Sequence, residues 1–177
     1  DVDQFIFTLR HGLIPTEFTG GEPLTLELVG VLTASGPRSI VIDVASPFGN
    51  LVTLLTSMFL HGGFVHIISN MLFLWVFGDN IEDRLGHLKY LLFYLGVGLA
   101  ATYAQITIDP DSQIPIVGAS GAIAGILGAY LLAYPFSHIN ILIIFILIVP
   151  TRIPALYVLG VWFIIQLFNG WGTLEPV

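Results

Sequence analysis

The run from Val117 to Tyr130, VGASGAIAGILGAY, constrains this chain more than any other stretch. It is apolar enough to enter a bilayer, yet Gly118, Gly121, Gly125 and Gly128 leave it with a face of small residues. Such a face lets a second backbone come close, which is how helices associate in lipid. Ser120 falls where the helix is expected to begin, beside unpaired N–H groups and the positive end of the helix dipole. A serine placed there suits a nucleophile whose developing oxyanion is met by backbone donors. It equally suits a small packing residue. Both readings stand on this segment alone.

The composition belongs to a membrane. Of the residues 55% are hydrophobic and 10% charged, with a mean hydropathy of +0.91; soluble domains carry about 25% charged residues. The expected fold class is an all-α, polytopic helical bundle, and 177 residues leave room for one such domain. A net charge of −7 with only five Lys and Arg excludes a nucleic-acid partner, whose phosphates demand basic surface. The chain has no cysteine, so disulfides and thiolate metal sites are excluded, and neither a metal nor another cofactor is expected. No cleavable signal sequence is visible, and a start at Asp1 rather than methionine suggests a fragment.

Within the single domain, residues 1–14 read as the end of a partial helix, 15–50 as an outer loop and 51–177 as the bundle. Phe5 to Ile14 is too short to span, since a helix needs about 20 apolar residues. The stretch from Pro15 to Asn50 carries Gly20-Gly21 and scattered apolar residues, and reads as a structured loop against the membrane surface. Leu51 to Leu60 is expected to enter the interface before His61-Gly62-Gly63 breaks it. Full spans are predicted near 65–80, 88–108, 118–135 and 154–169. The Ile/Leu run from Ile139 to Val149 is too short to span and is expected along the interface. Arg84, Lys89 and Arg152 place the 79–89 and 135–153 connections in the cytoplasm, and the acidic 109–115 loop outside, although Arg10 and Arg38 then fall outside as well.

Polar side chains inside a membrane helix are costly, and they mark either function or helix–helix hydrogen bonding. His66 and Asn70 are four residues apart and share one helix face. On the topology above, their helix and the one beginning at Ser120 run in the same direction, which puts all three groups at similar depth below the outer surface. That coincidence favours a catalytic serine with an oxyanion pocket. His61 is either a brace or a cap at the Gly62-Gly63 turn.

Four motifs in order also carry a family resemblance. They are Thr56 to Met71 (TSMFLHGGFVHIISNM), Phe77 to Gly86 (FGDNIEDRLG), Gly118 to Gly121 (GASG) and, more loosely upstream, Ile14 to Thr19 (IPTEFT). The chain resembles the bacterial-type rhomboid intramembrane serine proteases from about Ala45 onward. The resemblance implies Ser120 as nucleophile, and His66, Asn70 and backbone N–H groups near Gly118 and Ala119 as oxyanion donors. It implies that His61 supports the substrate-side loop, and that Glu82 and Arg84 hold the cytoplasmic turn. It further implies transmembrane protein substrates, a lipid bilayer as surroundings and a multi-pass location in the bacterial inner membrane.

The chain departs from the family pattern at the general base, a histidine in an Ala-His-x-x-Gly setting on a final helix. The only histidine after Ser120 is His138, beyond Pro135. Helical rise puts it roughly 25 Å from Ser120. The first helix in part and the last helix are therefore expected to be missing, and these residues alone are expected to be inactive. The face of Gly121, Gly125 and Gly128 is expected to dock that absent helix. A non-catalytic rhomboid-like protein that binds transmembrane clients is the alternative function.

Overall fold

A computed structural model describes residues 2–33, 36–44, 47, 49–144 and 148–172. The chain separates into two compact units, Asp1–Gly125 and Ile126–Val177.

In the first unit, α1 (Val2–His11) and a short α2 (Pro15–Phe18) precede an antiparallel hairpin of β1 (Thr25–Thr33) and β2 (Gly36–Asp43). The hairpin lies in the stretch read as an outer loop, and its register slips between Leu28 and Val31. Leu9, Ile14 and Val44 form a small buried cluster beneath it. Glu17 closes this region with its carboxylate, which accepts from the Leu24 N–H at 2.7 Å, while Asn50 Nδ2 donates to the Glu17 carbonyl at 2.6 Å.

Next comes α3 (Asn50–Thr56), then a 3₁₀ turn over Ser57–Phe59 and α4 (Phe64–Phe73). Helix α4 runs through a π turn (Leu74–Gly78) into α5 (Asp79–Leu85). Gly86, at φ 78°, breaks the helix before α6 (His87–Ile108). The Glu82 carboxylate meets His87 Nδ1 at 2.6 Å across that break. Residues Phe64–Leu85 and His87–Ile108 are each long and apolar enough to cross a bilayer, and only 22% of each apolar window is buried within the protein. A soluble core helix would be covered by its own fold; here Phe64, Val65, Trp75 and Leu88 are left exposed.

Helix α7 (Ser120–Ala133) is shorter than the expected 118–135 span, at 14 residues. Gly121 and Gly125 have a partner in α6, which corrects, for these two, the expectation that their face awaited a missing helix. A Cβ on Gly121 would lie 2.7 Å from Ala101 Cβ, and one on Gly125 would lie 2.6 Å from Val97 Cβ. Both pairs repeat at four residues, so the glycines of α7 receive a ridge of α6 formed by Val97 and Ala101. Gly98 contributes from the α6 side, where it receives Met58 and faces Ala122.

In the second unit, α7 finishes at Ala133 and β3 (His138–Ile144) pairs with β4 (Ile148–Pro154) from His138↔Pro154 to Ile144↔Ile148. The run expected along the interface at 139–149 thus contributes residues to both strands of this hairpin. Helix α8 (Ala155–Gly172) follows without a gap, and its first N–H groups reach the carbonyls of Ser137 and Pro135 at 2.8 and 2.9 Å. Leu127 and Leu159 are fully buried, and Gly128 meets Phe163 only at ordinary contact distance.

Candidate active site

Ser120 is the first residue of α7 and is exposed, while Ala119 before it is 1% exposed. The Ile123 N–H donates to the Ala119 carbonyl at 2.9 Å, which is the first bond of the helix. The N–H groups of Ala119 and Ser120 therefore lie in the opening turn, where no helical acceptor exists and the dipole is positive.

Gly118 turns the chain into this helix. Its φ of +118° is one that residues with side chains rarely adopt. Its Cα also faces α4 closely. A Cβ there would lie 2.8 Å from both Cε1 and Nε2 of His66, and 3.6 Å from Nδ2 of Asn70. The structure thus brings His66 and Asn70 together against the backbone two residues ahead of Ser120. The Gly118 N–H is itself occupied, donating to the Ser57 carbonyl at 2.8 Å, so the backbone N–H groups left for a ligand are those following it.

Asn70 is 7% exposed, and among the described residues its Nδ2 has no hydrogen-bond partner. Leaving a buried amide donor unpaired costs about 1–3 kcal/mol, and a bound acceptor would recover it. His66 Nδ1 accepts from the Gly62 N–H at 3.3 Å. His61 stands edge-on to His66, with ring centroids 5.3 Å apart, and among the described residues its buried Nε2 has no hydrogen-bond partner. Burial, and secondarily the nearby His66, push the His61 pKa below its ordinary value.

Sequence reasoning missed what holds the Gly118 loop. Leu13 and Ile116 exchange backbone bonds at 3.2 and 2.7 Å, the Thr16 N–H donates to the Ser112 carbonyl, and Thr19 Oγ1 donates to the Pro110 carbonyl. These are mostly main-chain contacts, which side-chain pattern does not report. Of the residues expected in the cytoplasmic turn, Glu82 pairs with His87. Among the described residues, no group of three or more His, Cys, Asp or Glu is placed to hold a metal ion.

Comparison with known proteins decides the family. Residues 49–175 match the Rhomboid domain. The chain belongs to the rhomboid family. Rhomboid relatives include the rhomboid protease GluP of Bacillus subtilis, 42% identical over 78 residues, or 44% of this chain and 15% of that protein. RHOMBOID-like protein 5 of Arabidopsis thaliana is 36% identical over 78 residues, covering 44% and 25% of the two chains. Mitochondrial Rhomboid protein 1 of Saccharomyces cerevisiae is 33% identical over 103 residues, covering 56% and 29%. The chain thus spans less than half the length of the curated rhomboids it matches. No solved structure matches it significantly. Family membership and the two apolar helices together make this a polytopic helical membrane protein.

Proposed function

We propose that this chain carries the nucleophile and the oxyanion site of an intramembrane serine endopeptidase that cleaves transmembrane segments of other proteins. Ser120 Oγ attacks the scissile carbonyl. The tetrahedral oxyanion is received by His66, by Asn70 Nδ2 and by the N–H groups that open α7. The observation that carries this reading is the buried, unpartnered Nδ2 of Asn70, set beside His66 and the Gly118 turn. A helix-packing asparagine would have used that donor on a neighbour; here it is held for an acceptor that arrives.

The proton from Ser120 goes to a histidine outside these 177 residues, in the Ala-His-x-x-Gly setting that the resemblance implies. His61 braces His66 from the side of the Gly62-Gly63 turn. The domain is a single rhomboid-like unit in function, seated in a bacterial inner membrane with the 79–89 turn cytoplasmic.

The test uses fluorophosphonate labelling and cleavage of a transmembrane substrate in liposomes. Residues 1–177 alone should not react, whereas the same chain followed by a helix bearing Ala-His-x-x-Gly should. Ser120→Ala should abolish both signals. A serine that stays unreactive in both chains, with substrate still bound, would establish the client-binding alternative.

A further inference from the structure

An imidazole donates only from the nitrogen that carries its hydrogen, so the oxyanion role of His66 depends on its tautomer. The Gly62 N–H points at Nδ1 of His66. A nitrogen that accepts a hydrogen bond is bare, and in the neutral ring the hydrogen then resides on Nε2. Nε2 is also one of the two ring atoms turned toward Gly118. We propose that the Gly62 amide is a positioning group that locks His66 in its Nε2–H form, making this ring a dedicated donor at the Ser120 site and unfit to serve as its base. The proposal rests on the active-site reading above.

Among the described residues, Nδ1 makes this one hydrogen bond. His61 presents a ring edge to it rather than a hydrogen-bonding nitrogen. Ser69 Oγ, one turn along α4, donates to the His66 carbonyl rather than to the ring. Gly62 lies two residues before α4 begins, so its N–H is outside the helical ladder and free to meet a side chain four residues on. The same arrangement of a second partner fixing a histidine tautomer recurs wherever imidazoles must present one defined nitrogen.

Glycine is not required here for space. A Cβ on Gly62 would stand 3.9 Å from Nδ1, an ordinary contact. Gly62→Ala therefore keeps both the N–H and the fit, whereas Gly62→Pro deletes the N–H. The decisive readout is ¹⁵N NMR of histidine-labelled protein in micelles near neutral pH, with the His66 signals assigned by their loss in His66→Gln. The wild type and Gly62→Ala should show a protonated Nε2 and a bare Nδ1, with no averaging. Gly62→Pro should show a mixture of tautomers. With a general base supplied, Gly62→Pro should also lose up to about a hundredfold in Ser120 labelling, as removal of one oxyanion donor does, while Gly62→Ala should not.

A wild-type His66 that is averaged or protonated at Nδ1 overturns the proposal, as does a Gly62→Pro spectrum that keeps a single Nε2–H form. The wild-type spectrum decides even where Gly62→Pro fails to fold. Failure of the active-site reading looks different, because Ser120 would then be unreactive in every chain while the tautomer remained fixed.

Discussion

The Gly118 amide donates to the Ser57 carbonyl at 2.8 Å, which ties the loop before Ser120 to the 3₁₀ turn ahead of α4. The bond crosses 61 positions of sequence and uses no side chain, counting from 57 to 118. It sets the height at which α7 begins relative to the helix that carries His66 and Asn70.

Gly118 should not tolerate a side chain. Alanine there meets the His66 ring at 2.8 Å and must hold a φ of +118°. Gly118→Ala should lose at least about a hundredfold in Ser120 labelling, comparable to losing an oxyanion donor outright. Labelling at the wild-type rate in a folded variant would detach Gly118 from the site.

Asn70→Ala, in a chain with its general base, should slow cleavage by about a hundredfold or more. Because Nδ2 has no partner among the described residues, the same change should cost little stability. Activity and the unfolding midpoint measured on one preparation separate the two effects. A large loss of stability with unchanged turnover would make Asn70 a packing residue.

The α6–α7 ridge predicts a compensating pair. Gly121→Ala places a Cβ against Ala101 and should destabilise by about 1–3 kcal/mol, the usual cost of overpacking. Ala101→Gly removes the opposing atom, so the double variant should recover part of that loss. A double-mutant cycle with no coupling would mean that the two helices do not meet at these residues.

Acid should weaken the fold through His61. Burial first, then the neighbouring His66, lower its pKa in the folded state against the Phe59 hydrogen bond, which raises it. The unfolded chain thus takes up the proton first, near the ordinary value of 6.5. The stability linked to His61 is full above that pH and is lost as pH falls through the lower folded value. Unfolding midpoints in mixed micelles should drop over this window in the wild type and be flatter in His61→Gln. Equal slopes would remove His61 from the effect.

The sequence located α6 almost to the residue, because 22 consecutive residues with little charge have few alternatives. The spacing of His66 and Asn70 likewise anticipated a shared helix face, and GASG marked a helix start. The β3–β4 hairpin was not legible. A short Ile/Leu run reads alike as a buried strand or a helical segment, and only the partner at Ile148–Pro154 decides. The partners of Gly121 and Gly125 were hidden for a related reason. Val97 and Ala101 carry no signal that distinguishes a ridge receiving glycines from an ordinary lipid face.

The π turn at Leu74–Gly78 fixes an angular phase between two ends of one rod. A π turn holds one residue more than an α turn, and each residue of a helix advances its face by about 100°. Below the turn, α5 is keyed in place: the Tyr90 hydroxyl rests against Gly78, and His87 clasps Glu82. Above it, α4 aims His66 and Asn70 at Gly118. Deleting a single residue between Phe73 and Asp79 would convert the π turn into an α turn and keep the two faces in phase, whereas deleting two would swing the donors about a quarter turn off target. The turn is thus held by identity at its end, where Phe77 is buried and Gly78 leaves room for Tyr90, and by number throughout.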